Sequence, residues 1–136
     1  MRRFYAKGHR RPTPGAMNKT EQRFHDYLTA RLQCGLILMF GYEEMTFKIA
    51  PDCRYTPDFW VMNTDETLEL FEVKGGKHHT RMEDGVKVRT GRSVAYFEGD
   101  AKAKLAAAAG KFPLRFTLAF EDVTNKGHWI FEEVGA

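Results

Sequence analysis

Residues 55–76 read YTPDFWVMNTDETLELFEVKGG. Two largely apolar segments, 54–62 and 67–74, flank the polar residues 63–66, and this pattern is typical of two strands joined by a short turn. Side chains alternate between the two faces of a strand. The second strand is therefore predicted to place Leu68, Leu70, Glu72 and Lys74 on one face and Glu69, Phe71 and Val73 on the other.

The pairing register of this hairpin brings two acidic residues together. If the turn is centred on Asp65, Asp58 and Glu72 are equally far from the centre and lie opposite each other; a slip of one residue would destroy the pairing. Facing carboxylates repel one another. A hard divalent cation such as Mg²⁺, which prefers oxygen ligands, removes that repulsion. We therefore predict a metal site between Asp58 and Glu72.

Lys74 follows on the same face as Glu72, and Gly75-Gly76 follows it. An ammonium beside a metal site can orient an attacking water and stabilise charge on phosphorus. Two glycines allow a phosphate backbone to approach closely. A Glu-x-Lys sequence alone is usually an exposed charge pair, but its position opposite Asp58 favours phosphodiester chemistry.

The N-terminal half of the chain contains a predicted helix and a predicted strand. The helix spans residues 18–34, beginning at Asn18 or at Lys19-Thr20 and ending at Gly35. Glu21 lies in its first turn, where the helix dipole favours an acid. A short strand is predicted at residues 45–49.

The C-terminal half predicts a helix between strands. Residues 75–99 leave two alternatives open, an ordered loop or a hairpin that turns at Thr90-Gly91. A helix capped by Asp100 is expected to run to about Lys111, and strands are predicted at 115–120 and 128–134.

The order of these elements predicts the fold class. A helix between the third and fourth strands permits a parallel crossover, whereas the earlier strands form an antiparallel meander. The expected fold is α/β, with a mixed β-sheet flanked by helices in the order α-β-β-β-α-β plus an extra C-terminal strand.

Length and composition predict one domain. The 136 residues suffice for a single core, and we expect a flexible basic arm at 1–16 followed by one domain at 17–136 with a basic insert at about 76–99. The two cysteines, Cys34 and Cys53, form no metal-binding pattern; thiols in a reducing cytosol fit, and a single disulfide stays open. No apolar run reaches the ~20 residues of a membrane span, so no membrane partner is predicted.

Positive charge is concentrated in two segments. The chain is +3 overall, yet residues 1–16 hold five basic residues and no acid, and residues 74–92 hold six basic residues against two acids. Such clusters are typical of polyanion binders. Taken alone they fit a solvated tail and loop equally well.

Four blocks of the sequence together resemble a known superfamily. They are NKTEQRF at 18–24, YTPDF at 55–59, FEVKG at 71–75, and DAKAKLAA at 100–107 with its following Phe112-Pro113. They resemble PD-(D/E)xK nucleases and, more narrowly, a family of small phage-encoded proteins of that superfamily known as a domain of unknown function. The resemblance covers residues 17 to about 120.

The resemblance implies a restriction-endonuclease-like core that binds Mg²⁺, with Mn²⁺ as a substitute. Asp58 and Glu72 match the acidic ligands, Lys74 matches the motif lysine, and Glu21 matches the first-helix glutamate that completes the metal site. From the residues alone, Glu21 is equally well explained as an acid at a helix dipole. The expected catalytic residues are Asp58, Glu72, Lys74 and Glu21, and the expected metal-contacting residues are Asp58, Glu72, Val73 and Glu21.

Lys102 and Lys104 match a helix position that contacts phosphate in this superfamily, although a solvated helix face explains them equally well. The length of segment 76–99 leaves open which of the two lysines occupies that position. The expected nucleic-acid contacts are Lys77, Arg81, Lys87, Arg89, Arg92, Lys102 and Lys104.

The function implied is a Mg²⁺-dependent endonuclease that hydrolyses DNA phosphodiester bonds. By analogy with phage enzymes, it would act in the host cytoplasm in replication, recombination or packaging, with selectivity for junctions or branched DNA among the options. A homodimer is an option as well, because two strands need two sites. The alternatives are a DNA-binding accessory protein with little or no turnover on the same fold, and a nuclease acting on RNA.

Overall fold

The computed structural model describes residues 16–135, so the predicted arm lies outside the described residues except for Ala16. The elements are α1 (Lys19–Gln33), β1 (Ile37–Tyr42), β2 (Phe47–Ala50), β3 (Cys53–Tyr55), β4 (Phe59–Asn63), β5 (Leu68–Lys74), β6 (Gly76–Glu83), β7 (Val86–Ala95), α2 (Ala101–Lys111), β8 (Arg115–Glu121) and β9 (Trp129–Val134).

The centre of the fold is a five-stranded sheet in the order β1-β4-β5-β8-β9. β5 and β8 run parallel, whereas the other neighbouring strands are antiparallel. α2 provides the crossover between the two parallel strands, which a tight turn could not connect. The predicted α/β class with a mixed sheet is therefore confirmed.

The hairpin β4–β5 has the register predicted from a turn centred on Asp65. Phe59 pairs with Phe71, and the pairing continues to Met62 opposite Leu68. The alternation predicted for β5 is confirmed as well, because Phe71 packs in one core cluster and Leu70 in another, on the opposite face.

α1 covers one face of the sheet through an aromatic core. Phe24 is completely buried, and its ring lies 5.3 Å from that of Phe59, 5.4 Å from that of Phe71 and 5.0 Å from that of Trp129. Burial of a phenylalanine stabilises a fold by about 1.5–3 kcal/mol. Packing of this face thus holds the start of α1 against the ends of the strands.

α2 covers the other face. Its Leu105 and Ala108 are buried against Phe116 and Phe120 of β8. The helix ends before Pro113, as predicted. Asp100 occupies the N-cap position but its side chain accepts no capping hydrogen bond, so the predicted cap is wrong; its carboxylate lies 3.3 Å from Lys104 Nζ instead.

A strand is present within the predicted segment 45–49, but it does not belong to the main sheet. The edge of the main sheet is β1, a run of residues (ILMFGY) that shows no regular alternation of burial. The segment predicted as the first strand contains the start of β2, which pairs with β3 in a separate two-stranded ribbon. The predicted strand 54–62 is also divided, because Pro57 has no N–H to continue a ladder.

The segment after Lys74 is a long hairpin, β6–β7, rather than a loop. It turns at Asp84-Gly85 and not at Thr90-Gly91. Both turn residues have positive φ, 48° and 78°, as a tight type I′ turn requires. Gly91, with φ 80°, lies instead where the register shifts, and a glycine there permits a bulge.

α1 begins at a capping box formed by Asn18 and Glu21, which satisfies backbone N–H groups at the helix start. Cys34 and Cys53 are both free. Among the described residues, no helix has the length and apolar character needed to cross a membrane.

Candidate functional site

The end of β5, the start of β4 and the start of α1 meet at one end of the main sheet. Glu72, Val73 and Lys74 form the C-terminal end of β5, and Asp58 immediately precedes β4. Glu21 approaches from the first turn of α1. The structure therefore brings together the residues that the sequence predicted as catalytic.

Asp58 is held by the neighbouring strand. Its side chain is buried, and Oδ2 accepts a hydrogen bond from the Val73 N–H at 2.8 Å. Burial raises the pKa of Asp58 well above its ordinary value, and the nearby Glu72 raises it further, whereas the Val73 N–H lowers it. Val73 thus supports the acidic site through its backbone, while its side chain packs in the core on the α1 face.

Glu72 is buried between two donors. Tyr55 donates its hydroxyl proton to Glu72 Oε2 at 2.5 Å, and Lys74 Nζ lies 3.2 Å from Glu72 Oε1. Burial raises the pKa of Glu72, although both donors lower it. The pKa of Tyr55 is raised as well, chiefly by burial and then by the charge of Glu72.

A fourth acid, Glu43, which the sequence analysis did not single out, joins the site. Glu21, Glu43 and Asp58 each offer a carboxylate oxygen, and these oxygens lie within 4.8 Å of one another. Glu72 is not a member of this group. Glu43 directly follows β1 with φ 49°, and its N–H donates to the Asp58 carbonyl at 2.9 Å. Recognition of β1 as a sheet strand would have been the only signal for Glu43.

Glu21 is positioned from both sides. Its Oε2 accepts the Asn18 N–H at 3.0 Å and the Tyr42 hydroxyl at 2.7 Å. Burial is the main reason why the pKa of Tyr42 is raised, and the Glu21 contact adds to it. Tyr42, at the end of β1, therefore links the helix acid to the strand that carries Glu43.

The two candidate lysines of α2 have different surroundings. Lys102 Nζ lies 5.9 Å from the centre of the Phe97 ring, and Lys74 Nζ lies 5.9 Å from the same ring. Lys104 instead pairs with Asp100. Lys102 and Lys74 therefore lie close to the same aromatic ring, whereas Lys104 is paired with an acid of its own helix N-cap.

The predicted basic contacts at 77–92 lie on the β6–β7 hairpin. Lys77 Nζ lies 5.7 Å from the Tyr96 ring centre, and Arg81 forms an ion pair with Glu83. The remaining three are exposed and form no ion pair with a described residue: Lys87, Arg89 and Arg92.

The two glycines after Lys74 have different environments. A Cβ at Gly76 would lie 1.8 Å from the Glu121 carbonyl oxygen, whereas a Cβ at Gly75 would meet nothing within 4 Å. The expectation that both glycines admit a phosphate is therefore wrong for Gly76. Its missing side chain lets the hairpin pack against the end of β8.

A cleft of about 450 Å³ opens beside the site. It lies between the start of α1 and the base of the hairpin, and it is lined by Asn18, Thr20, Val73, Lys74, Gly75, Tyr96 and Glu98. The cleft gives solvent and ligands access to Lys74, whose side chain is 23% exposed.

Comparisons with protein-family models, curated proteins and solved structures find no match to this chain.

Proposed function

We propose that the protein is a metal-dependent endonuclease that hydrolyses phosphodiester bonds of DNA, on a restriction-endonuclease-like core of the PD-(D/E)xK type. The observation that carries the proposal is Asp58: a buried carboxylate at a strand junction, within 4.8 Å of two further carboxylates. A buried acid surrounded by like charges is costly in its ionised form unless a cation is bound.

The donor set suits Mg²⁺ or Mn²⁺. The groups that would hold the ion are the carboxylates of Glu21, Glu43 and Asp58. Glu72 lies near Asp58, and the motif resemblance adds the backbone of Val73 to the expected ligands. All of these offer oxygen, which hard divalent cations prefer. When bound, such an ion supplies Lewis acidity toward a phosphate oxygen and favours ionisation of water.

Lys74 provides positive charge close to the acids without being a ligand. Its ammonium lies 3.2 Å from Glu72 Oε1 and borders the cleft. From there it can orient an attacking water and stabilise the charge that develops on the phosphate. Glu72, held by Tyr55, fixes the position of that ammonium.

The surroundings suit a nucleic-acid backbone. Lys102 adds a second ammonium near Phe97. The β6–β7 hairpin, which follows Lys74 almost directly in the chain, adds further exposed cations. Phosphate contacts of this kind supply most of the affinity of a nuclease for DNA, through release of counterions.

The test is cleavage of supercoiled plasmid, branched DNA, single-stranded DNA and RNA, with Mg²⁺ and with EDTA. We expect Mg²⁺-dependent nicking of at least one DNA substrate by the purified chain, and no nicking by Asp58→Asn. Tight DNA binding without cleavage in Mg²⁺ or Mn²⁺ would replace the proposal with the accessory-protein alternative. Cleavage of RNA alone would replace DNA with RNA as the substrate.

One observation favours that accessory-protein alternative. Both oxygens of Glu72 are engaged, one by Tyr55 and one by Lys74, and each such contact occupies a lone pair that a metal would otherwise use. The carboxylates of Glu21, Glu43 and Asp58 provide a metal site that does not require Glu72. For this reason the enzyme remains the favoured proposal.

A further inference from the structure

The outer part of the β6–β7 hairpin projects from the body of the protein. The base is anchored, because Ser93 is buried and its Oγ donates to the Glu121 carbonyl at 3.3 Å. From residue 80 to residue 92, every side chain is exposed except that of Val88, which is half-buried. This part is therefore a two-stranded ribbon with both faces open.

One face of the ribbon carries positive charge and no acid. Thr80 pairs with Arg89, and Met82 pairs with Lys87. Residues paired across antiparallel strands point to the same side, and positions two apart share a face. Two cations, a hydroxyl and a thioether thus lie together on this surface, which we call the acid-free face.

The opposite face differs in charge. It carries the pairs Arg81–Val88 and Glu83–Val86. Its arginine is neutralised locally, because Arg81 forms an ion pair with Glu83. Net positive charge is therefore concentrated on the acid-free face, whose Lys87 and Arg89 have no ion-pair partner among residues 16–135.

We propose that this ribbon lies in the major groove of B-form duplex DNA, with the acid-free face toward the base pairs. This inference rests on the proposed function and assigns its substrate class. The groove is about 12 Å wide and 8.5 Å deep, and it admits a two-stranded β-ribbon. The major groove of an A-form RNA duplex is too narrow for side chains to enter.

The side chains match what the groove presents. Arg89 and Lys87 offer donors to the O6 and N7 acceptors of guanine. Met82, 62% exposed, offers an apolar contact for the methyl group of thymine.

The geometry of the chain connects this groove with the cleavage site. β6 begins at Gly76, two residues after Lys74, and contains eight residues. At about 3.4 Å per residue it extends roughly 27 Å, most of one helical turn of DNA. The ribbon therefore engages base pairs directly beside the phosphate that Lys74 faces.

The experiment measures binding of the full-length chain in EDTA, so that no substrate is cut. The first probe is a DNA duplex of 20 base pairs, about two helical turns in length. The other two are an RNA duplex of the same sequence and the same DNA duplex methylated at guanine N7. We expect the DNA duplex to bind at least ~10-fold more tightly than the RNA duplex, and N7 methylation to weaken binding.

Two variants of the same ribbon provide the matched comparison. Arg89→Gln, on the acid-free face, should weaken binding to the DNA duplex by about 10-fold and reduce the effect of N7 methylation, to which Lys87 also contributes. Arg81→Gln, on the opposite face, should leave the methylation effect intact. Both positions are exposed, and circular dichroism should show that both variants keep the fold.

Each outcome decides the inference separately from the proposed function. Equal affinity for RNA and DNA duplexes, or equal methylation effects in the two variants, would overturn major-groove binding even if the chain cuts DNA. If the chain cuts nothing but its DNA binding is weakened by N7 methylation in a way that depends on Arg89, this inference is supported while the nuclease proposal fails.

Discussion

The Asp58 carboxylate accepts a hydrogen bond of 2.8 Å from the Val73 N–H on the neighbouring strand. Val73 lies between Glu72 and Lys74 in the chain. This bond therefore joins Asp58 to the strand that carries both of those side chains. Because the donor is a backbone N–H, the position of Asp58 depends on the strand pairing itself and not on another side chain.

Replacement of Asp58 by asparagine should separate chemistry from folding. The amide oxygen can still accept from Val73, but it brings no charge to a metal, so Mg²⁺-dependent cleavage should be lost. Because burial and Glu72 raise the pKa of Asp58, the variant should gain about 0.5–1 kcal/mol in metal-free stability near neutral pH. Plasmid nicking and urea unfolding measure these effects. Asp65→Asn, in the exposed turn, is the control, and unchanged cleavage by Asp58→Asn would remove Asp58 from the active site.

Lys74→Ala should slow turnover without removing the metal. Loss of one preorganised charge near the reacting phosphate costs about 10²–10³ in rate. Affinity for Mn²⁺, measured calorimetrically above neutral pH, should change little, since an ammonium is not a ligand. Lys104→Ala removes an equal charge from a lysine that pairs with Asp100 and should cleave like wild type. Collapse of Mn²⁺ affinity in Lys74→Ala would contradict the assigned role.

Glu43→Gln tests the acid that only the structure identified. Its carboxylate belongs to the group with Glu21 and Asp58, so its loss should weaken Mn²⁺ binding by on the order of tenfold or more. The adjacent Glu44 accepts a hydrogen bond from Trp60 Nε1 and is not in that group. Glu44→Gln is therefore the matched control. Equal Mn²⁺ affinities for the two variants would exclude Glu43 as a ligand.

The stability of the metal-free protein should depend on pH with a definite sign. Burial raises the pKa of both Asp58 and Glu72 in the folded state, so the folded protein holds more protons than the unfolded chain. The free energy of unfolding should then fall as pH rises from the ordinary carboxyl pKa of about 4 into the neutral range. Mg²⁺ displaces those protons and should reverse the loss. Thermal melting over that range, with and without Mg²⁺, is the measurement; a melting temperature that rises with pH in EDTA would refute the assignment.

Gly76→Ala should disturb the junction between the hairpin and the main sheet. The added Cβ would meet the Glu121 carbonyl at 1.8 Å, and relief of such overpacking costs about 1–3 kcal/mol. The same change at Gly75, where a Cβ meets nothing within 4 Å, should have little effect on stability. Chemical denaturation of the two variants compares them directly. Equal stabilities would mean that the hairpin base is not packed as described.

Local patterns were sufficient for much of the fold. The register of β4–β5 followed from a turn centred on Asp65, since side chains alternate and one face of each strand is buried. Three other features were equally local: the start of α1 at Asn18, the end of α2 before Pro113, and the face of β8 that carries Phe116 and Phe120. Periodicity failed where burial did not alternate, as in the edge strand β1.

The candidate site likewise combines features that local sequence determines with contacts that depend on tertiary structure. The sequence by itself determined that Glu72 and Lys74 share a face of one strand, because their spacing is a property of a few consecutive residues. Only the tertiary structure decided that Glu43 joins Glu21 and Asp58, and that Tyr55 holds Glu72. Those contacts link residues from different elements, and their distances are set by how α1, β1 and β3 pack around the sheet, which no local pattern encodes.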